Sequence, residues 1–421
     1  VGARTEQLFI SSILRQEDHV TPLTNGVTAE WFFHFRSEWE WIARYIDRHR
    51  SCPSKTLFKS KFFNFLILKV DDVEFTTGEL RDAFLNKMMI RTMDSALDSI
   101  EERKNPQRVL EDLQKALVQL HGEASTTSNE SDVVEDWESV FNEVSRRSEK
   151  ANERGMAGLP TGFPTLDLAT NGPQPGDFFV VAARLGQGKT WTLIRMAASA
   201  LMAGATVQYD ALEQSKSQIA MRVHTFLQSE NAKEMFTTAE LMSGKGVDLI
   251  AYKKFLKKLK ADLPGKLIVD DTSRGKVSPA SIAAQLERNR PDILFVDYLT
   301  LMSGASDWQK ISELSGELKG IAQAYEVPIV AAAQINRASY DSGHPGTQHL
   351  AGSDSIGQDA DAVITMAQQS RHVIKFHLAK YRHGADGQFW FTEFRPNSGQ
   401  FTEISGDAAQ ELIDEDRLAE L

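Results

Sequence analysis

Phe178-Phe179-Val180-Val181-Ala182-Ala183-Arg184-Leu185-Gly186-Gln187-Gly188-Lys189-Thr190 decides the fold of this 421-residue chain. The unbroken apolar run Phe178–Ala182 reads as a strand buried on both faces, the kind found in parallel sheets. The chain then turns through Gly186 and Gly188 and enters a helical pattern from Trp191. Strand, glycine turn and helix start is the context in which successive backbone N–H groups converge on phosphate oxygens, helped by the partial positive charge of the helix N-terminus. Gly186, Gln187 and Gly188 supply the turn. Lys189 is placed to reach the β- and γ-phosphates of ATP, Thr190 to offer its hydroxyl to Mg²⁺, and Trp191 to open the helix beside the nucleotide. Ala183 stands where the usual GxxxxGK[ST] pattern has its first glycine.

Downstream, short apolar runs alternate with helical patterns, which predicts an α/β domain with a mainly parallel sheet. The expected strands are 178–183, 206–210, 267–270, 293–297, 328–333 and 362–366. An antiparallel extension follows at 373–380, 388–394 and 400–404, turning at Pro396-Asn397-Ser398-Gly399. Ile293-Leu294-Phe295-Val296-Asp297 ends a buried strand in a carboxylate, the position for a metal-holding acid. Glu213, just past the strand Thr206–Asp210, suits the base or water-orienting role, with Asp210 its nearest competitor. Gln334 ends the strand 328–333 and can sense a γ-phosphate. Lys380 and Arg382, two residues apart in an extended run, point to one side and repel unless an anion meets them. In an oligomeric ATPase that anion is the γ-phosphate of an adjacent subunit.

Upstream, residues 4–122 read as almost entirely helical, with Phe62–Leu68 as a short core helix. Glu123–Asp132 is small and polar, a linker. Val133, Trp137, Val140, Phe141 and Val144 then mark one face of a helix ending near Arg154 and Gly155. Periodicity leaves open whether that face folds back on its own subunit or docks on a neighbour. The expected organisation is a helical N-terminal domain (1–122), a linker with an amphipathic helix (123–158), an α/β nucleotide-binding domain (159–405) and an acidic tail (406–421) that is mobile or forms a short exposed helix. Lys plus Arg number 47 against 58 Asp plus Glu, a net charge of −11. That balance argues against one broad basic face coating duplex DNA or anionic lipid, while leaving room for a local patch. One cysteine, Cys52, cannot form an intrachain disulfide, and no apolar run is long enough to span a bilayer, so a cytoplasmic protein without membrane contact is expected.

Together these segments resemble the DnaB family of replicative hexameric helicases, whose motor is RecA-like. The resemblance covers nearly the whole chain, from the helical N-terminal domain and linker helix through LPTGFPTLDLATNGPQPGDFFVVAARLGQGKT (159–190). ALEQSKSQIAMR (211–222), ILFVDYLTLM (293–302), VPIVAAAQINR (327–337), SIGQDADAV (355–363) and LAKYRHG (378–384) then follow in family order. It implies ATP and Mg²⁺ as cofactors, with Lys189 and Thr190 on phosphate and metal and Asp297 on the metal's water shell. Glu213 matches the catalytic glutamate, and Gln334 the sensor linking γ-phosphate to the DNA loops. Lys380 and Arg382 match the pair reaching a neighbour's site, and Arg222 an arginine near the nucleotide base.

The resemblance further implies a homohexameric ring that translocates 5′→3′ on single-stranded DNA at a fork, with primase and a helicase loader as partners. The linker helix would dock on the adjacent motor. DNA-contacting loops are expected at 303–310, 336–349 and 350–356, with Lys310, Arg337, Gly352, Ser353 and Asp354 as the contacts. The last loop departs from the family pattern: Ala351 stands where an arginine is usual, and Asp354 where a glycine is. The compact length and short loop at 303–308 point towards a phage-encoded form. Two rivals share the same motor: a RecA-like ring ATPase that does not unwind, and a replisome scaffold with vestigial hydrolysis.

Overall fold

The computed structural model describes residues 2–70, 72–106, 108–110, 112–113, 116–117, 134, 137–229, 235–271, 277–302, 308–334 and 354–419. They divide into two compact units, Val1–Trp137 and Glu138–Leu421.

The first unit is built on α1 (Gly2–Gln16), α2 (Val20–Thr24), α3 (Arg36–His49), α4 (Lys55–Lys61) and the long α5 (Val73–Glu101). Phe9, Ile10, Ile13 and Leu14 recur on one face of α1 and are fully buried against Phe32, Trp39, Ile42, Phe58 and Leu80. Glu6, also on α1 and buried, accepts hydrogen bonds from the backbone N–H groups of Phe33 (3.0 Å), His34 (2.8 Å) and Phe35 (2.9 Å). A carboxylate at the entry to α3 thus satisfies donors that would otherwise lack partners.

The expectation of a helix at Phe62–Leu68 is not met. The helix ends at Lys61, and the following backbone is held in a non-helical path by α1 side chains: Leu68 N donates to Ser11 Oγ (3.0 Å), and Gln7 Nε2 donates to Leu66 O (2.8 Å). Phe65 is buried while Phe63 and Leu66 stay exposed. Breaks such as this one, and that between α2 and α3, make the unit less helical than its apolar density suggests.

The second unit holds all but the first residue of α6 (Trp137–Arg154), whose Val140, Phe141 and Val144 are exposed, and then α7 (Pro164–Thr170). The strands are β1 (Phe178–Ala183), β2 (Thr206–Ala211), β3 (Lys266–Asp271), β4 (Ile293–Asp297), β5 (Ile329–Gln334), β6 (Ala362–Gln368), β7 (Val373–Tyr381), β8 (Phe389–Arg395) and β9 (Gln400–Ile404). They form one sheet in the order β3-β2-β4-β5-β1-β6-β7-β8-β9. Pairing is parallel from β3 to β6 and antiparallel from β6 to β9. Intervening helices are α8 (Lys189–Met202), α9 (Lys216–Ser229), α10 (Thr238–Ser243), α11 (Leu249–Asp262), α12 (Pro279–Asn289), α13 (Trp308–Tyr325) and α14 (Asp354–Asp359), with α15 (Gly406–Ala419) at the end.

Phe179, Val181 and Ala183 of β1 enter the core shared with α8. Phe178, Val180 and Ala182 enter the core shared with α12 and α13, so helices cover both faces as a doubly buried strand requires. The acidic tail departs from expectation. Ala409 and Ile413, one turn apart on α15, are buried against Val373, and Asp416 accepts from Ser370 Oγ (2.6 Å) and His372 N (2.9 Å). It is a docked amphipathic helix rather than a mobile or exposed end.

Candidate active site

β1 delivers the chain to the glycine turn at the C-terminal edge of the parallel strands. Gly186 (φ +79°) and Gly188 (φ +94°) adopt backbone conformations that side-chain-bearing residues avoid, and Gly188 is the N-cap of α8. Lys189, the first residue of α8, is buried. Its Nζ donates to the carbonyls of Ala183 (3.1 Å) and Arg184 (3.2 Å). Burial lowers its pKa, and Asp297 and Glu213 pull it back up.

Asp297 ends β4 and is 3% exposed. Tyr209 donates its hydroxyl to Oδ2 (2.9 Å). Burial raises the carboxyl pKa, and Thr190 and Tyr209 oppose the rise. Oδ1 is buried without a hydrogen-bond partner among the described residues. An orphaned oxygen on a carboxylate that interacts with the Thr190 hydroxyl gives a hard-oxygen donor set, which fits Mg²⁺. Leu212 N donates to Asp297 O (2.9 Å), pinning the segment after β2 to the end of β4. That bond brings Glu213, exposed, into electrostatic reach of Lys189, Asp297, Tyr298 and Arg222.

Arg222, on α9, lies 5.4 Å over the Trp191 ring; burial lowers its pKa, and Tyr209, Asp297 and Glu213 raise it. Its charge therefore stands among the carboxylates. Gln334 ends β5 directly opposite Ala183 of β1, at the same edge as the glycine turn. Asp210, the competing candidate for the base, turns away from this group. Alternate residues of a strand face opposite sides, so with Tyr209 turned to Asp297, Asp210 turns away to Gln208 (3.1 Å) and the α12 face. Burial there pushes its pKa up to about 7.

Lys380 and Arg382 sit at the other edge of the sheet. β6 runs parallel to β1 with Ala362 opposite Phe179, and Tyr381 pairs with Ala362, so this pair lies where β1 begins. The six residues of β1 place it about 20 Å from the glycine turn. Here the charges meet the C-terminal end of α14. Lys380 Nζ donates to Gly357 O (2.6 Å), Gln358 O (3.0 Å) and Ala360 O (2.7 Å), and Arg382 to Gln358 O (2.7 Å). Arg382 Nε also stands 3.3 Å from Asp361 Oδ1. Carbonyls at a helix C-terminus carry partial negative charge, so within one chain they satisfy the cations.

Of the expected DNA contacts, Lys310 is exposed on α13, and Asp354 is the first residue of α14. Arg337, Gly352 and Ser353 lie outside the described residues, as do 303–307 and 335–353. An open cavity of about 520 Å³ lies far from the glycine turn, beside Lys150, Arg290 and Tyr325. Glu287, Asp292 and Glu326 line it too, so its charge selects no ligand. Sequence reading missed Tyr209. The only signal was a hydroxyl-bearing aromatic in an otherwise buried strand beside the one ending in Asp297.

Residues 158–403 match the DnaB-like helicase C-terminal domain. The chain belongs to that family. It is 30% identical over 294 residues to the replicative DNA helicase DnaB of Haemophilus influenzae, covering 63% of this chain and 60% of that protein. It is 28% identical over 307 residues to the DnaB of Helicobacter pylori strain J99, covering 70% and 61%. The chain thus spans about 60% of the length of these relatives. A solved structure described as a DnaB-like replicative helicase and its interactions with primase superposes with a TM-score of 0.64 at 19% identity, covering 96% of this chain and all of the other. A second solved structure, described as an ATPase domain, superposes with a TM-score of 0.55 at 22% identity, covering 66% of this chain and all of the other. These likenesses establish the fold: helices first, then an α/β domain with a mainly parallel sheet. Among the described residues, no helix is long and apolar enough to cross a membrane.

Proposed function

We propose that this member of the DnaB-like helicase family is an ATP-dependent DNA helicase that works as a homohexameric ring on single-stranded DNA at a fork, moving 5′→3′. One observation carries the reading. The glycine turn, Lys189, Thr190, Glu213, Asp297 and Gln334 gather at one edge of the sheet, while Lys380 and Arg382 lie about a strand's length away at the other. A phosphate bound by one chain is out of reach of that chain's own Arg382 and can be reached only by a second copy's.

In this mechanism Lys189 leaves the carbonyls of Ala183 and Arg184 for the β- and γ-phosphates of ATP. Thr190, and Asp297 through the water shell, would hold Mg²⁺, which would neutralise phosphate charge. Glu213 orients the attacking water and takes its proton, and its closeness to Lys189 keeps its charge balanced until phosphate arrives. Gln334, on the strand next to β1, contacts the γ-phosphate side and leads into segment 335–353, where Arg337, Gly352 and Ser353 would touch DNA. Arg222 is assigned to the nucleotide base. Arg382, with Lys380, acts in trans as the finger that stabilises transition-state charge.

Docking of the α6 apolar face on an adjacent motor would hold the ring together, with the N-terminal unit as its collar. Primase and a loader are the expected protein partners, the former because a DnaB-like neighbour is described with primase. The test is strand displacement on a forked duplex with ATP and Mg²⁺, wild type beside Lys189→Ala. Unwinding by the wild type alone is expected. Brisk ATP hydrolysis with no displacement by the assembled ring would overturn the helicase reading in favour of a ring ATPase that does not unwind.

A further inference from the structure

Helix α11 carries Lys253, Lys254, Lys257, Lys258 and Lys260, although the whole chain has a net charge of −11. All five lysines are exposed. The opposite side of the helix is anchored. Phe255 is buried, and Tyr252, Leu256 and Leu259 pack against the core. The Phe236 ring stands 5.0 Å from that of Tyr252 and 5.3 Å from that of Phe255, and His224 Nδ1 is 2.8 Å from the Tyr252 hydroxyl. The lysine face is therefore fixed in orientation.

Its charge pattern works against the helix itself. Lys253 with Lys257, and Lys254 with Lys258, are like charges at i, i+4, and Lys257 with Lys260 repeats the conflict at i, i+3. A solvated helix surface normally mixes signs, as α6 does where Glu143 pairs with Arg146 (2.7 Å) and Arg147 (2.7 Å). Five cations with no acid between them, and Asp262 alone after them at the helix end, suit an external polyanion. The pairs 253/254 and 257/258 are four residues apart, a rise of about 6 Å, so they offer charge at regular intervals along a line. Lysine presents a point charge rather than a planar fork, and no aromatic residue lies among the exposed five, so the face suits phosphate backbone rather than base edges.

We infer that the lysine face of α11 is a second nucleic-acid contact, one that holds the phosphate backbone of DNA away from the channel. α11 leads into β3, the terminal strand of the sheet, whereas the segments expected to line a channel follow β4 and β5 in its middle. The choice of DNA as the polyanion rests on the helicase reading; an acidic peptide, which could also use the exposed Ile250 at the start of the face, is the competing occupant.

The experiment compares the assembled wild-type ring with a Lys253→Gln/Lys254→Gln/Lys257→Gln/Lys258→Gln variant and a four-fold Lys→Arg variant. It measures binding of a labelled fork and of a short single strand as salt is varied, and single-strand-stimulated ATP hydrolysis. For the Gln variant, the slope of log affinity for the fork against log salt should shrink by about 3, from four lost contacts at ~0.7 each on a displaced strand. Fork affinity should fall at least about tenfold, while the short strand still stimulates hydrolysis within about twofold of wild type. The Arg variant, keeping charge, should bind like wild type. An unchanged fork affinity and slope in the Gln variant overturns the inference. So does loss of poly-glutamate binding with fork binding intact, which would assign the face to an acidic protein. A wild type whose hydrolysis does not respond to DNA at all would instead sink the helicase reading.

Discussion

The corner that holds Arg382 is built on a buried ion pair, and its removal tests whether that corner is structural as well as functional. Lys319 Nζ lies 2.6 Å from Asp361 Oδ2, with the side chains 14% and 1% exposed. The same Oδ2 accepts from Phe178 N, the first residue of β1, at 2.8 Å, and Oδ1 faces Arg382. Lys319 also donates to Gly176 O at 2.9 Å. Asp361→Ala strips the partner from one buried ammonium, one guanidinium and one strand N–H at once, and should cost about 3–5 kcal/mol. Lys319→Met leaves Asp361 with the Phe178 N–H donor and the Arg382 charge and should cost less, roughly 2 kcal/mol. Because the two residues share one contact, the double variant should be less destabilised than the sum of the singles by about 1–3 kcal/mol. Urea unfolding of the full chain, with hydrogen exchange at the amides of β1 and β6, reads these losses. Raising salt should leave the coupling nearly unchanged, since a buried pair is poorly screened. A loss below about 1 kcal/mol for Asp361→Ala, or strict additivity of the singles, would refute the reasoning.

Three further outcomes follow from the same geometry. Tyr209→Phe keeps the buried ring but removes the donor to Asp297, and steady-state ATPase assays should show kcat about tenfold lower with KM little changed, because a hydrogen bond to a charged group is worth roughly 1.5–3 kcal/mol. Asp210, whose folded pKa of about 7 exceeds its unfolded value, holds its proton in the native state while the unfolded chain loses it. Its share of stability is therefore full below about pH 4 and falls as pH rises to about 7, by at most ~1.4 kcal/mol per unit. Asp210→Asn should remove that slope, and the difference between the two denaturation curves should favour the variant above pH 7. Glu6→Gln exchanges an acceptor-only group for one carrying its own N–H donors, and hydrogen exchange at Phe33–Phe35 and through α3 should quicken as that cap loses about 2 kcal/mol.

Much of the fold was legible because its strands announce themselves. Phe178–Ala183 and Ile293–Asp297 are unbroken apolar runs between turn residues, and a strand buried on both faces needs no further signal. Phe62–Leu68 misled for the opposite reason. It is equally apolar but without helical period, and the contacts that fix its path come from Gln7 and Ser11, far away in sequence. The tail misled because its acids drew attention from Ala409 and Ile413, the two apolar positions that dock it. At the site, residues tied to a strand end, Lys189, Asp297, Glu213 and Gln334, could be read directly, since parallel strands bring their C-terminal ends to one edge. Tyr209 could not, because its role depends on which strand lies beside β4.

Lys380 and Arg382 show most clearly what topology adds to a motif. Their same-side placement is a matter of strand period, but the edge they occupy depends on strand direction. β7 runs antiparallel to β6, so its C-terminal end returns to the edge where β1 starts. Arg382, just past the end of β7, therefore cannot stand beside the glycine turn that ends β1, whereas β8, reversed once more, brings Phe394 back to the start of α8, its ring 6.2 Å from that of Trp191. The separation of Arg382 from the glycine turn is thus built into the strand order, and the proposed role in trans follows from it: a phosphate held at that turn would be met by a second copy's Arg382.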